Sequence, residues 1–315
     1  MSVVLKQLVK EVMGDKEARA RLMSRLSFVG DVPMVKTLYR LNTGKRLNLE
    51  RPRTFNEKIQ WYKLHYRNPM MTRCADKLLA KEYVREKGFG SIVTPVYAVW
   101  ETAREMDFSQ LPSRCILKCN HNSDGAVVWD REKMGEVEDI RKRFELMLGN
   151  NAFWGSREWC YRDIVPKVFA EELLVPRAGG LIDWNVFCFR GIPKLVLCNA
   201  GLMNDDGSHA EVARRAAFDA GFNYLDIETS MMRIPEGWIS KPLFFEEMLH
   251  IASALSAPFP HVRVDFFQVD DQMRFGEMTF YSSSGYAEWK PEEWQYRMGD
   301  WFELFKYEQS RSCID

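Results

Sequence analysis

The clearest strand pattern in the chain lies in two alternating segments on either side of a polar break at Asp270 to Gln272. Alternation puts Arg263 and Asp265 on one face of the first segment, and Glu277 and Thr279 on one face of the second. The break predicts an antiparallel hairpin with a three-residue loop. In that register Asp265 lies opposite Glu277 and Arg263 lies opposite Thr279, with about 5 Å between Cβ atoms.

Two carboxylates at this separation repel each other unless a cation lies between them. A divalent cation would remove the repulsion, and a ligand set made only of oxygen atoms suits Mg²⁺ bound together with the phosphates of a nucleotide. The same residues are also compatible with an exposed hairpin whose acids face water. The hairpin pattern alone leaves both interpretations open.

The rest of the chain mixes helical and strand patterns. Apolar residues at helical spacing predict one or two amphipathic helices from Leu5 to about Leu26, packed on the protein or lying on a membrane surface. Thr54 followed by Glu57 is a capping-box pattern that predicts the start of a helix. Further helices are predicted at Asp76–Glu86, Glu136–Leu148 and Phe244–Ser256, and strands at Ile92–Trp100, Arg114–Asn120, Ala126–Trp129, Lys167–Leu174, Trp184–Phe189 and Pro193–Asn199. Hairpins combined with helices predict an α+β fold.

Composition narrows the class of protein without identifying a function. The 315 residues predict about two domains, and 46% hydrophobic with 28% charged residues is ordinary for a globular protein. Lys plus Arg equals Asp plus Glu at 44 each, so no nucleic-acid partner is expected and any anion site must be local. No segment approaches the roughly 20 apolar residues of a transmembrane helix.

The seven cysteines have neither zinc nor disulfide spacing. An odd number of scattered cysteines is typical of a reducing compartment, where buried thiols behave as small hydrophobic groups. The N-terminal residues meet a charge at Lys6, too early for the apolar segment of a signal peptide. We therefore expect a cytoplasmic protein.

Several charges stand in apolar surroundings. Lys118 lies inside the apolar strand Cys115–Cys119 and needs a carboxylate or a phosphate, unless that face of the strand is solvated. The small-residue turn after it offers backbone N–H groups to phosphate. His121 in this turn is either a substrate contact or a surface residue. The consecutive Glu171 and Glu172 point to opposite faces, so at most one enters a pocket.

Asp183 begins the strand that follows the Glu171–Glu172 pair. It would lie close to one of those acids if the two strands pair around the intervening loop. A carboxylate in that position suits the hydroxyl groups of a ribose.

The order of these parts resembles the ATP-grasp fold, and more closely the TupA-like ATP-grasp family of bacterial polysaccharide gene clusters. The resemblance extends from about Arg40 to near Phe305. Its motifs are weak singly and specific in their order: Leu47-Asn48-Leu49, Thr54-Phe-Asn-Glu-Lys58, Lys118-Cys-Asn-His121, Ser156-Arg-Glu-Trp159, Phe187-Cys-Phe-Arg-Gly191 and Val262-Arg-Val-Asp265.

The resemblance implies two α+β lobes with ATP between them. The expected organisation is a helical N-terminal region over residues 1–70, an N-lobe with a lid hairpin over 71–166, and a C-lobe with the metal site over 167–315. The nucleotide residues that the resemblance implies are Lys77 and Lys118 at the phosphates, Glu171, Glu172 and Leu174 at the adenine, and Asp183 at the ribose. The Mg²⁺ ligands that it implies are Asp265, Glu277 and Thr279, with Arg263 facing the transferred phosphoryl group.

Two departures from the family pattern lower the local positive charge. The loop after Lys118 contains Asn122 and Asp124 where relatives tend to carry glycine, and Asn185 stands where relatives commonly carry lysine. These changes leave open a weak affinity for ATP, an altered acceptor or a degenerate site.

The implied activity is ATP-dependent ligation of a carboxylate to an amine through an acyl phosphate. From the family setting, the substrates would be a uronic-acid-type carboxylate and an amino acid or amine, in the biosynthesis of a capsule or another surface polysaccharide, with other assembly enzymes as partners. A kinase acting on a hydroxyl and a catalytically silent module that binds nucleotide or sugar remain alternatives. Candidate substrate contacts are Arg157, His121, Ser283, Ser284 and Gly285, and Arg214 or Arg215.

Overall fold

The computed structural model describes residues 28–122, 125–133, 137–177, 180–201 and 213–305. The helices predicted in the first 26 residues lie outside these ranges. Eight helices belong to the described part: α1 (Asp31–Thr43), α2 (Phe55–His65), α3 (Pro69–Ala75), α4 (Lys77–Glu86), α5 (Val137–Leu148), α6 (Ala152–Ser156), α7 (Phe245–Ser256) and α8 (Glu293–Trp301). The strands are β1 (Val96–Trp100), β2 (Arg114–Cys119), β3 (Val127–Asp130), β4 (Val168–Glu171), β5 (Ile182–Phe189), β6 (Ile192–Ala200), β7 (Arg214–Phe218), β8 (Met232–Arg233), β9 (His261–Val269) and β10 (Gln272–Thr279).

The strands form two sheets, as expected for an α+β protein. The smaller sheet has the order β1-β4-β2-β3 and is antiparallel throughout. The larger sheet has the order β10-β9-β5-β6-β7-β8, and only its β7–β8 pair is parallel. The strand at Glu171 does not pair with the strand at Asp183, so the condition for Asp183 to lie close to those acids is not met. Instead β4 pairs with β1 and β2, while β5 pairs with β6 and β9. Hydrogen bonds to those neighbours leave neither strand an edge for the other.

One face of the larger sheet is covered by α7, which packs on β5, β6 and β9. Trp184 of β5 lies edge-on to Phe245 of α7 with ring centroids 6.3 Å apart. Because side chains alternate along a strand, Asp183 and Asn185 on either side of Trp184 point to the opposite face. That face carries the candidate site.

The β9–β10 hairpin has a shorter loop than predicted. Gln272 pairs with Val269, so Asp270 and Asp271 alone form the turn, and Asp270 adopts a left-handed φ of 54°. The three-residue loop is therefore wrong. A left-handed first turn residue suits a two-residue hairpin loop, which matches the twist of the strands.

The missing loop residue reappears as a β-bulge between Phe275 and Met278. Beyond the bulge Arg263 pairs with Thr279, as predicted, and Asp265 faces the bulged pair Gly276 and Glu277. A Cβ atom at Gly276 would lie 3.0 Å from the backbone oxygen of Asp265, which is tighter than nearly all Cβ contacts. The bulge therefore restores the predicted register at the end of the hairpin that carries the charges.

The capping box at the start of α2 is confirmed. The amide of Glu57 donates to Thr54 Oγ at 3.3 Å, and the amide of Thr54 donates to the Glu57 carboxylate at 3.1 Å. The six cysteines in the described ranges are free and buried, as expected of thiols that serve as small hydrophobic groups. No helix among the described residues is long and apolar enough to cross a membrane.

The boundaries expected at residues 70 and 166 stay predictions. The strand that follows the second of them, β4, pairs with the smaller sheet.

Candidate active site

Asp76 and Asn120 bring the two lysines expected at the phosphates together. Asp76 is the N-cap of α4, and its Oδ1 accepts from Leu78 N at 2.8 Å. Its Oδ2 accepts from the side-chain amide of Asn120 at 2.7 Å, and Lys77 N donates to the Asn120 carbonyl at 3.0 Å. The start of α4 is thereby fixed to the residue that directly follows β2, the strand of Lys118.

The first lysine, Lys77, points from α4 towards the larger sheet. Its Nζ donates to the carbonyl of Asn122 and lies 3.6 Å from Glu277 Oε2. Asp124, the other departure noted in this loop, lies outside the described residues.

The second lysine, Lys118, lies against a buried carboxylate. Lys118 Nζ is 2.6 Å from Glu171 Oε1, and Lys81 Nζ is 2.8 Å from Glu171 Oε2. Although burial acts in the opposite direction, Lys118 and Lys81 lower the pKa of Glu171. Of the two anions that the sequence suggested for Lys118, the chain itself supplies the carboxylate.

Of the two consecutive acids, Glu171 is buried and Glu172 is half-buried, and the expectation that at most one of them enters a pocket stays a prediction. The Glu171 carboxylate is paired with Lys118 and Lys81, so its predicted contact with adenine would require that pairing to change. Glu172 and Leu174 are half-buried, and Glu172 N donates to Pro95 O at 3.0 Å.

The acids of the hairpin lie together with Arg263 between them. Arg263 binds Asp265 with two hydrogen bonds, Nε to Oδ1 at 2.7 Å and Nη2 to Oδ2 at 2.5 Å. The same Nη2 donates to Thr279 Oγ at 3.1 Å and lies 3.7 Å from Glu277 Oε1. Thr279 Oγ in turn donates to Glu277 Oε1 at 3.0 Å. The exposed-hairpin alternative is wrong for Asp265, whose side chain is 6% exposed.

The acids differ in their affinity for protons. Burial and the neighbouring Asp183 and Glu277 raise the pKa of Asp265 to about 7, against the effect of Arg263. Asp265 in turn raises the pKa of Arg263, although burial acts the other way. The pKa of Glu277 is lowered by Lys77 and Arg263, again against burial. The site therefore favours a cation at Asp265.

The donor atoms fit Mg²⁺ in kind. Asp265, Glu277 and Thr279 offer carboxylate and hydroxyl oxygen atoms, and Mg²⁺ commonly takes one or two carboxylates together with substrate phosphates. Among the described residues no group of three or more His, Cys, Asp or Glu side chains is arranged to hold a metal. The Arg263 guanidinium supplies a positive charge between the acids. A metal would bind Asp265 in exchange for Arg263.

A row of polar side chains continues from the acids across the larger sheet. Asp183 accepts from Asn185 Nδ2 at 2.9 Å and from Asn199 Nδ2 at 3.2 Å. Asn199 Oδ1 accepts from Arg215 Nε at 2.6 Å. Burial raises the pKa of Asp183 and lowers that of Arg215 to about 10. Arg214 is exposed, so of the two arginines considered from the sequence, Arg215 is the one that joins this row of polar side chains.

The surface interpretation of His121 is wrong, because its side chain is buried. The ring Nε2 lies 2.9 Å from the carbonyl of Asn150, and Nδ1 lies 3.3 Å from Asn120 Oδ1. Burial lowers the pKa of the imidazole. These contacts tie the turn after β2 to the segment that follows the end of α5, and a substrate role for His121 stays a prediction.

The segment after β10 is a strained loop. Ser283, Ser284 and Gly285 all have positive φ, at 47°, 53° and 66°. Gln60 Nε2 donates to the carbonyls of Ser284 and Gly285 at 2.8 and 3.0 Å, and Lys63 Nζ donates to the Ser284 carbonyl at 2.8 Å. These bonds from α2 hold the strained backbone in place.

The side chain of Ser284 donates to Glu158, which also accepts from Ser156 Oγ at 2.9 Å. The loop therefore meets the Ser156–Trp159 motif that the resemblance singled out.

Arg157 from the same motif is 1% exposed. Its guanidinium lies over Trp154 at 4.7 Å, and its Nε is 3.4 Å from Asp31 Oδ1. None of its three nitrogen atoms has a hydrogen-bond partner in the ranges described. Burial lowers its pKa. These contacts join α6 to the start of α1, and a substrate role for Arg157 remains a proposal.

Sequence analysis missed two contributors to the site. Lys81 lies four residues after Lys77 in a predicted helix, so the shared helical face was a usable signal. Asn199 lies at the end of a predicted strand and gave no comparable signal. Its position became visible only when β5, β6 and β7 were seen to be neighbours.

Comparison with known proteins assigns this arrangement to a family. A family model described as TupA-like ATPgrasp matches residues 57–303. The chain belongs to this family. The matched range contains every residue that the resemblance implies at the phosphates, the adenine, the ribose and the metal. The α+β architecture with two sheets is that of the ATP-grasp fold. No curated protein matches the sequence.

Solved structures with a similar fold are distant in sequence. The ATP-grasp ligase PsnB complexed with a minimal precursor is 14% identical, with a TM-score of 0.41, over 75% of this chain and 62% of that one. D-alanine–D-alanine ligase from Bacillus anthracis is 19% identical, with a TM-score of 0.37, over 67% and 59%. Phosphoribosylamine–glycine ligase from Thermotoga maritima is 12% identical, with a TM-score of 0.37, over 71% and 49%. The chain thus spans about three fifths of the length of the first two.

Proposed function

We propose that this protein is an ATP-dependent ligase that joins a carboxylate to an amine through an acyl phosphate. The observation that carries the proposal is that two groups of charged side chains face each other. Lys77 and Lys118 approach from α4 and the smaller sheet, while Asp265, Glu277 and Arg263 lie on the larger sheet, and Lys77 bridges the two groups at 3.6 Å from Glu277. Cations opposite a pair of acids suit a nucleotide polyphosphate with Mg²⁺.

In this proposal each side chain has a limited task. Asp265, Glu277 and Thr279 hold Mg²⁺, which supplies charge neutralisation at the phosphates. Lys77 and Lys118 bind phosphate oxygen atoms. Arg263 would face the group that is transferred and would stabilise the charge that develops there. Electrostatic stabilisation of this kind is the main contribution a protein makes to phosphoryl transfer.

The remaining residues support binding of the nucleotide and the substrates. The half-buried Glu172 and Leu174 are proposed to meet the adenine, and Asp183 the ribose. Ser283, Ser284, Gly285, Arg157 and His121 remain proposed substrate residues. Ser283 is exposed and Ser284 is half-buried, whereas the other three are buried. We further propose a uronic-acid-type carboxylate and an amino acid or amine as substrates, in surface polysaccharide biosynthesis in the cytoplasm; these details rest on the family resemblance alone.

Release of ADP tests the proposal. Uronic acids and their nucleotide-linked forms are crossed with amino acids and polyamines, and ADP should form only where both a carboxylate and an amine are present. Asp265→Asn should abolish this release while the fold is retained. Asp271→Asn is the matched control, since Asp271 is exposed in the turn of the same hairpin.

Other results would identify the alternatives. Full turnover by Asp265→Asn would exclude the metal role. A stable phosphorylated product formed without any amine would identify a kinase. Binding of a nucleotide without turnover across the whole panel would identify a silent module.

A further inference from the structure

Three charged side chains meet in a largely buried cluster between α4 and the smaller sheet. Glu171 is bound by Lys118 at 2.6 Å and by Lys81 at 2.8 Å. The side chains of Glu171 and Lys81 are 7% and 5% exposed, while that of Lys118 is 22% exposed. Two cations therefore serve one anion, which is one more than neutrality requires.

The two lysines are not equivalent. Lys81 is fixed on the inner side of the carboxylate, where its Nζ also donates to the Thr94 carbonyl at 3.3 Å. Among the described residues the Lys118 side chain makes no hydrogen bond other than that to Glu171. Its charge also acts on the larger sheet, because it helps to lower the pKa of Glu277. Lys118 is the partner that is free to leave.

A buried carboxylate resists losing its counter-ion. If Glu171 had Lys118 alone, a phosphate that drew Lys118 away would leave an unpaired charge in a nearly dry site, at a large cost. With Lys81 in place the carboxylate stays neutralised throughout. We propose that Lys81 is a positioning residue, which holds the charge of Glu171 so that Lys118 can exchange that carboxylate for a nucleotide phosphate. This inference rests on the proposed nucleotide function.

Lys81 would not touch the nucleotide in this scheme. Its side chain contacts Glu171 and Thr94, and its effect on affinity passes through the choice of partner that Lys118 makes. If Lys81 were merely structural, the nucleotide affinity lost on its removal would not be restored by a substitution at Glu171. Removing the charge of Glu171 as well therefore separates the two roles.

The test measures binding of MgADP and of a non-hydrolysable Mg²⁺–ATP analogue by calorimetry. The proteins are wild type, Lys81→Met, Glu171→Gln, the double variant Lys81→Met/Glu171→Gln, and Lys118→Met as the reference for loss of the phosphate lysine. Lys87→Met, at the exposed end of α4, is the surface control. Thermal unfolding of each protein is measured in parallel.

Lys81→Met should weaken nucleotide binding on the order of 10- to 100-fold, because Lys118 is then held by an otherwise unpaired carboxylate. The double variant should bind within about threefold of wild type, since the neutral amide releases Lys118. This recovery is required even if Lys81→Met alone does not fold, in which case the double variant is compared with wild type and Lys118→Met.

Each other result contradicts the inference in a distinct way. Equal affinity of Lys81→Met and wild type would overturn it and leave the nucleotide function intact. A double variant as weak as Lys118→Met would assign Lys81 a structural role. A wild-type protein that binds neither nucleotide would overturn the proposed function and this inference together.

Discussion

Binding of Mg²⁺ with a nucleotide should depend on pH through Asp265. Burial and the neighbouring carboxylates raise the pKa of this group to about 7. A metal binds only the deprotonated carboxylate, so protons compete with it below that pH and binding releases them. The affinity for the metal–nucleotide pair should therefore rise as the pH rises through 7 and level off at higher pH.

The magnitude follows from the position of the pKa. A carboxyl group with a pKa of about 7 is roughly 90% protonated at pH 6 and roughly 10% protonated at pH 8. The apparent affinity should therefore be about tenfold weaker at pH 6 than at pH 8, with release of about 0.9 proton per binding event at pH 6. Calorimetric titration of MgADP in buffers of different ionisation enthalpy measures both quantities.

Asp265→Asn is the internal reference, because the nucleotide phosphates also titrate near neutral pH. The amide keeps the size of the side chain and cannot ionise, so its residual pH dependence belongs to the nucleotide. Subtracting it should leave the tenfold effect in the wild type. An identical pH slope in wild type and Asp265→Asn would refute the argument that Asp265 exchanges a proton for the metal.

Three further changes have defined outcomes. Gly299→Ala should lower the free energy of unfolding by about 1–3 kcal/mol in denaturant titrations, because its Cβ would lie 2.0 Å from the Arg53 carbonyl oxygen and this clash outweighs the roughly 1 kcal/mol that alanine adds to a helix. Thr54→Ala should cost about 1 kcal/mol through loss of the cap, and an unchanged midpoint would contradict the role of the capping box. Arg263→Gln should destabilise the protein without added metal by about 2–4 kcal/mol, because it leaves the buried Asp265 without its partner. Millimolar Mg²⁺ should then raise the melting temperature of this variant more than that of wild type. Equal shifts would show that the guanidinium does not take the place of a metal ion.

Element types were predictable from the sequence because they depend on local periodicity. The alternation in β9 and β10 and the capping box at Thr54 are encoded within a few residues, and both are confirmed. The partners of strands are encoded elsewhere. Nothing local in β4 indicates that β1 and β2 will flank it, and the pairing of β4 with β5 that the sequence left open does not form.

The acids of the site were easier to predict than the partners of its cations. Asp265 and Glu277 follow from strand alternation and from a register that the bulge happens to restore. The contact of Lys118 with Glu171 spans 53 residues, and it forms only because β2 and β4 are neighbours. Burial of His121 likewise depends on the distant Asn150.

The cations proposed to bind phosphate are already paired with acids of the chain itself. Lys118 is bound to Glu171, Lys77 lies near Glu277 and Arg263 is bound to Asp265. A phosphate must therefore displace carboxylates, which lowers the affinity for nucleotide alone. Mg²⁺ lowers that cost, because a metal on Asp265 and Glu277 neutralises the acids that Arg263 and Lys77 would leave. By linkage the metal and the nucleotide must then increase each other's affinity by the same factor. The paired charges thus make the acids and the cations a single binding unit, in which neither ligand is expected to bind tightly without the other.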